Sequence, residues 1–151
     1  MKHLHLLLMT LLMGVSTCTS QNSDQFRIGE AKNGTFTITE NLDKVKAHWT
    51  SVMKTQNNTQ QISEMAIVSA MDSKTSETYY IITGKNAQGT FTIANEVSLI
   101  DGAFYFRNST VSGTVSCSGC NYGCNPEKLG GKWFCDSDCG GNCNKTVTVA
   151  Y

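Results

Sequence analysis

Six of the seven cysteines in this chain lie near its carboxyl end, between Cys117 and Cys143. The same segment contains the only proline, Pro126, and several glycines, so its side chains cannot form a regular hydrophobic core of their own. An even set of closely spaced cysteines predicts a disulfide framework formed in an oxidising compartment. We therefore predict three disulfides, with the pairing left open, among Cys117, Cys120, Cys124, Cys135, Cys139 and Cys143.

The composition favours a single exported domain over a protein that binds nucleic acid. The 151 residues are 40% hydrophobic, which is enough for one hydrophobic core. Charged residues make up only 16% of the chain, and Thr, Ser and Asn supply the rest of its polarity, which suits an exported protein. Lys and Arg number 12 against 12 Asp and Glu, with no basic run, so we expect no nucleic-acid partner.

A short apolar segment follows the amino terminus. Residues 4–13 are apolar apart from His5 and Thr10, and the positively charged Lys2 precedes them. The segment is too short to span a bilayer, which takes about 20 residues, and it has the length of a signal-peptide core. We therefore predict a signal peptide over residues 1–17.

The residues that follow, Val15-Ser16-Thr17-Cys18, resemble the lipobox of bacterial lipoproteins. The resemblance covers about the first 20 residues of the chain, and Thr17 stands where the family prefers Gly or Ala. It implies cleavage before Cys18, lipidation of that cysteine and anchoring in the membrane of the bacterial cell envelope. The alternative is an ordinary secretory signal that is cleaved near Ser20. In the anchored protein, the small polar residues 18–25 form a flexible tether.

The next segment, residues 26–110, is predicted to be an α+β domain. Residues 34–39 alternate apolar side chains with threonines, which indicates a half-buried strand. Residues 41–56 have the period of an amphipathic helix, with Asn41 as a plausible N-cap. We expect an antiparallel β-meander to pack on the apolar stripe of this helix, which consists of Leu42, Val45, Trp49, Val52 and Met53.

The meander is predicted from short apolar runs that turn residues separate. The runs are 62–71, 77–83, 89–93, 97–100 and 103–106, and Asp101-Gly102 between the last two favours a tight type I′ hairpin turn. Residues 111–151 form the cysteine-rich segment. Its last residues, from 146 onwards, alternate apolar and polar side chains and are predicted to return to the sheet as a strand.

Aromatic side chains within the cysteine-rich segment are the candidate binding surface. Tyr122, Trp133 and Phe134 offer rings that could stack on a sugar or contact a protein. The alternative is that the rings cover the disulfides of a small core. The sequence thus predicts a structural or binding role in the envelope, with an unspecified protein or carbohydrate partner and the membrane as the second partner.

The sequence has no recognisable catalytic constellation. His48 is the only histidine after the predicted signal peptide, and it lies at the edge of the apolar helix stripe, without a nucleophile motif or a phosphate loop elsewhere. Asp136 and Asp138 resemble the start of a calcium loop, but Val147 occupies the twelfth position, where an EF-hand requires Glu. We expect a protein that is not an enzyme and that binds no cofactor or metal.

Two further functions are compatible with the sequence. Cys117 and Cys120 form a Cys-x-x-Cys pair, which in a thiol-redox protein would be reactive. Together with Cys139 and Cys143, the same pair would supply four thiolates to zinc. The other alternative is a secreted, cystine-rich inhibitor-like protein from which Cys18 has been removed with the signal peptide.

Overall fold

The computed structural model describes residues 25–107, 113–121, 123–136 and 143–148. The predicted signal peptide and Cys18 lie outside these ranges. Within them the chain forms ten strands and one helix. In chain order these are β1 (Gln25–Lys32), β2 (Thr35–Ile38), α1 (Asp43–Thr55), β3 (Glu64–Met71), β4 (Thr78–Lys85), β5 (Phe91–Ile100), β6 (Ala103–Arg107), β7 (Thr114–Ser118), β8 (Asn125–Leu129), β9 (Lys132–Asp136) and β10 (Asn144–Thr148).

The fold is mostly β, and the predicted α+β class is wrong. Strands make up 56% of the described residues and the helix only 12%. The strands β2, β1, β6, β5, β4 and β3, in that order, form an antiparallel sheet that curves into a nearly closed barrel. Because the sheet curls on itself, its own inner face encloses the main core. The helix adds its apolar stripe to that core and does not cover one face of an open meander.

Much of the difference between the predicted open meander and the observed barrel is due to the strand β1. It pairs with both β6 and β2, so the barrel strands that come first and last in the chain, β1 and β6, lie side by side. A bulge between Arg27 and Gly29 bends β1. A Cβ at Gly29 would collide with the backbone carbonyl of Thr37, so this close approach requires glycine. A local bend of this kind helps a sheet to close.

The strand β5 is where the sheet branches. One of its edges pairs with β4. Along the other edge, Phe91–Ala94 pair with β7 and Val97–Ile100 pair with β6. The strand β10 then pairs with β7, so the predicted terminal strand does return to the sheet. The predicted runs 89–93 and 97–100 are one strand, because Asn95 and Glu96 between them have polar partners on opposite faces of the sheet.

The barrel core is organised around the helix residue Trp49. Its side chain is fully buried, and Nε1 donates a 2.7 Å hydrogen bond to Oδ1 of Asn95. Asn95 in turn donates to the hydroxyl of Thr114, which also contacts Nε2 of His48 at 2.8 Å. This row of hydrogen-bonded side chains fixes the helix against β5 and β7. Apolar neighbours from every barrel strand complete the core, including Ile28, Phe36, Ile67, Ile82, Ile93 and Phe104.

The predicted helix and tight turn are confirmed. Four of the five predicted stripe residues are buried residues of α1, and the fifth, Leu42, is its N-cap residue. Asn41 lies one position before that cap, where its Oδ1 accepts a 2.7 Å hydrogen bond from the backbone N–H of Asp43. Asp101 and Gly102 both have positive φ, 49° and 77°, as a type I′ turn requires.

We expect Gly84→Ala to destabilise the barrel by about 1–3 kcal/mol, because a Cβ at Gly84 would collide with the Trp49 ring and lie 2.8 Å from Ile62. Denaturant unfolding monitored by tryptophan fluorescence measures the change. Ser69→Ala, at an exposed position on β3, is the control. An unfolding midpoint equal to that of the native protein would contradict the close packing described for Gly84.

Candidate functional site

Disulfides join the cysteine-rich segment to the sheet. Cys117 of β7 is bonded to Cys135 of β9, and Cys124 is bonded to Cys143. Cys120 is also disulfide-bonded. The predicted disulfide framework is thus confirmed for the two bonds whose partners are both described. Cys139 lies outside the described residues.

The strands β8 and β9 form a hairpin that the sequence analysis missed. Gly130 and Gly131 make its turn with positive φ, and such a Gly-Gly pair is a hairpin signal that could have found it, although the run before it, Asn125–Leu129, consists mostly of residue types that are rare in strands. We name β8, this turn and β9 the stapled hairpin. It covers the outer face of the sheet over a second apolar cluster, to which Tyr79, Ile81, Ala94, Val115, Cys117, Cys120 and Cys124 belong.

A buried carboxylate holds the tip of the stapled hairpin. Asp72 accepts backbone hydrogen bonds from Gly130 and Gly131, at 2.8 and 2.6 Å. It also accepts them from Lys74 and Thr75 in its own turn, at 2.9 and 3.1 Å. These four N–H donors, led by that of Gly131, hold the pKa of Asp72 well below its usual range. Asp72 therefore ties two loops together as a carboxylate.

A lysine lies between two aromatic rings where the stapled hairpin meets β4. Lys128 places its Nζ 5.0 Å from the ring centroid of Tyr79 and 5.1 Å from that of Trp133. The same Nζ forms an ion pair with Glu96 of β5. The backbone N–H of Lys128 donates to the Tyr79 hydroxyl at 3.0 Å, and burial raises the pKa of that hydroxyl. These contacts position the hairpin and leave the lysine ammonium already paired.

The three predicted binding aromatics do not form one patch in the described residues. The Trp133 ring meets Tyr79 edge to face at 6.1 Å and packs against the second apolar cluster. Phe134 follows it in β9, so its side chain points to the opposite face of the hairpin. Tyr122 lies outside the described residues. The role of the three rings in binding stays a prediction.

A groove of about 740 Å³ lies at the carboxyl end of the helix. We name it the helix-end groove. One wall is the helix face that contains Lys46, Thr50 and Lys54, and the other is the loop 57–62. Met53 and Ile62 supply apolar surface to the lining. The sequence analysis missed this groove, because the loop returns along the helix only in the folded chain.

Hydrogen bonds fix the loop wall of the groove. Asn57 has a φ of 52°, and the N–H of the next residue, Asn58, donates to the carbonyl of Met53, which ends the helix in a left-handed turn. Oδ1 of Asn58 accepts from the N–H of Gln60 at 2.9 Å. The Gln60 side chain in turn accepts a 2.8 Å hydrogen bond from Asn86. The groove is thus a formed feature of the fold.

Several other residues that were considered for catalysis or metal binding have structural roles. His48 lies within the row of hydrogen-bonded side chains in the barrel core and contacts the Phe106 ring. Three of the four cysteines considered for zinc, Cys117, Cys120 and Cys143, are disulfide-bonded. Asp136 is exposed at the end of β9, and Asp138 lies outside the described residues. Within the described part of the chain, no group of three or more His, Cys, Asp or Glu is arranged to hold a metal ion.

We expect Asp72→Asn to loosen the hairpin tip, because an amide lacks the charge and presents only one acceptor oxygen to four donors. Hydrogen exchange of the Gly130 and Gly131 amides should accelerate relative to the native protein. The control is Asp101→Asn in the exposed type I′ turn, where Asn is equally favoured. Unchanged exchange at both glycines would show that Asp72 does not hold the tip.

The same variant should alter the acid sensitivity of the fold. The pKa of Asp72 is lowered on folding, so its stabilisation is fully present above the ordinary aspartate value of about 4 and is lost as the pH falls towards the folded value. Unfolding measured between pH 7 and pH 2 should therefore show a shallower acid loss for Asp72→Asn than for the native protein.

Comparison with known proteins finds no counterpart for this chain. It matches no known protein family, no curated protein and no solved structure. The single helix of the described residues is not long and apolar enough to cross a membrane. Function must therefore be inferred from the described residues and from the amino-terminal sequence.

Proposed function

We propose that this chain is an exported bacterial envelope protein that is anchored by lipid on Cys18 and binds a ligand without enzymatic chemistry. Two features support the proposal. The lipobox-like segment Val15-Ser16-Thr17-Cys18 precedes the first described strand, which begins at Gln25. Disulfides of the kind found at Cys117–Cys135 and Cys124–Cys143 persist in oxidising, extracytoplasmic compartments.

The helix-end groove is the observation on which the binding role depends. Concave sites with a partly apolar lining and a few placed polar groups are where proteins bind ligands. Here the polar groups are the side-chain amides of the loop 57–62 and the hydroxyl of Thr59, and hydrogen bonds hold the Asn58 and Gln60 side chains in place. The exposed cations Lys46 and Lys54 form no ion pair with any described residue, which leaves both ammonium groups available to a ligand.

An acidic oligosaccharide is the ligand class that this lining favours. The amides and hydroxyls match the many hydroxyl groups of a sugar chain, and the two ammonium groups match its carboxylates. Lys46 and Lys54 are two helical turns apart, about 12 Å along the axis, so a ligand that contacts both must be extended. Met53 and Ile62 offer apolar surface to the face of a sugar ring.

The double variant Lys46→Glu/Lys54→Glu should abolish binding of an oligogalacturonate, because it replaces attraction by repulsion at both ends of the groove. Titration calorimetry at low salt measures binding, with a neutral dextran oligosaccharide as the comparison ligand. Lys32→Glu/Lys132→Glu makes the same charge change at exposed sites outside the groove lining and should bind like the native protein. Equal binding by all three proteins, or equal affinity for both sugars, would exclude this site and ligand.

The anchor on Cys18 is tested by intact mass of the protein isolated from bacterial membranes, alkylated before and after reduction. We expect diacylglyceryl-modified Cys18 and cysteines that react only after reduction. Cys18→Ser should release a soluble protein of the same fold. A native protein without lipid would support the secreted alternative, and thiols that react before reduction would support the thiol-redox or metal-binding alternative.

A further inference from the structure

The helix α1 presents a basic face to solvent. Its exposed residues include Lys44, Lys46 and Lys54 and a single carboxylate, Asp43. The Asp43 carboxylate lies at the helix amino end, where a negative charge is favoured, and accepts a 3.0 Å hydrogen bond from the Asn41 side chain. No ion pair joins any of the three lysines to a described residue. The exposed face of the helix therefore carries a net positive charge.

The three lysines are spread across this face. Successive residues of a helix are about 100° apart around its axis, so Lys44 and Lys46 project from opposite flanks and Lys54 lies between them. Lys46 and Lys54 line the helix-end groove, whereas Lys44 does not. A ligand that lies only in the groove leaves Lys44 unused. A broad negatively charged surface would meet all three lysines.

The strand β1 begins beside the amino end of this helix. The Phe26 ring, at the second position of β1, lies 5.3 Å from Nζ of Lys44. Seven Cα–Cα steps separate Cys18 from Gln25, so these two residues lie within about 25 Å of each other. Lys32, at the far end of β1, is about 23 Å further along the strand. A lipid on Cys18 therefore holds the membrane near the end of the domain at which α1 begins.

We propose that the exposed face of α1 lies on the membrane that holds the lipid anchor, and that the acidic oligosaccharide of the helix-end groove is the headgroup of a glycolipid in that membrane. This role rests on the proposed function, since it requires both the anchor on Cys18 and the groove. Lys46 and Lys54 bind carboxylates of the headgroup, and the side-chain amides of the loop 57–62 bind its hydroxyl groups. Lys44 binds the negative charges of neighbouring lipids.

Vesicle sedimentation of the soluble Cys18→Ser protein at low salt tests the membrane source of the saccharide. The vesicles contain phosphatidylcholine, phosphatidylglycerol and a lipid to which an oligogalacturonate is joined. In the comparison vesicles, additional phosphatidylglycerol replaces that lipid at equal surface charge. We expect the protein to bind the saccharide vesicles about tenfold or more tightly than the comparison vesicles, because only the former fill the groove. Equal binding to both would exclude the glycolipid.

Lys44→Gln separates the membrane surface from the groove. It should weaken binding to the saccharide vesicles about fivefold, because one lysine is lost from a negatively charged surface. It should leave the affinity for free oligogalacturonate unchanged, since Lys44 does not line the groove. Lys32→Gln removes the same charge at the far end of β1 and should change neither affinity. A loss of vesicle binding in Lys32→Gln equal to that in Lys44→Gln would contradict a contact through α1.

Amine acetylation of the native lipid-anchored protein on the saccharide vesicles tests its orientation. Mass spectrometry measures the labelling rate of each lysine, with the soluble Cys18→Ser protein as the reference. We expect Lys44, Lys46 and Lys54 to be labelled more slowly on the membrane, and the rates of Lys32 and Lys132 to be unchanged. Equal labelling of all five in the two proteins would overturn this orientation.

The results also separate this role from the proposed function. If the protein binds free oligogalacturonate in the groove but binds the two kinds of vesicle equally, the membrane source is wrong and the groove remains a saccharide site. If it does not bind free oligogalacturonate, or if native Cys18 carries no lipid, the proposed function itself is wrong.

Discussion

The backbone pairing of β5 on both of its edges is the constraint on which the rest of this structure depends. One edge holds β4, and the other holds β7 and then β6. Side chains alternate along this strand, so Ile93, Asn95 and Val97 face the barrel core while Ala94 and Glu96 face outward. One strand therefore supplies both the inner core that holds the helix and the outer platform that the stapled hairpin covers.

The outer platform is the surface on which the stapled hairpin lies. The hairpin is too small to fold alone, since a single two-stranded hairpin is at best marginally stable in water. The Cys117–Cys135 disulfide attaches it to β7, and the Asp72 carboxylate fixes its tip through backbone N–H groups. The Lys128 contacts with Tyr79, Trp133 and Glu96 then set its position over β4 and β5.

Local patterns predicted the elements that are made by local interactions. The helix was predicted because the spacing of Val45, Trp49 and Met53 repeats within a few residues of chain. The Asp101-Gly102 turn was predicted because only residues that tolerate positive φ fit a type I′ turn. The strand β1 was missed, since a bulge interrupts its alternation at Gly29. The sequence does not predict the stapled hairpin, because closely spaced cysteines favour an irregular segment held by disulfides and most residue types of β8 are rare in strands.

The sequence by itself determined the disulfide-rich character of the carboxyl end, the amphipathic helix and most of the strands, because each depends on residue types and their spacing along the chain. It did not determine the fold class, since closure of the sheet depends on pairing between β1 and β6, which are far apart in sequence. Nor did it determine the helix-end groove. The groove lies between segments that meet only after the chain has folded, so its lining and charges were decided by the tertiary structure alone.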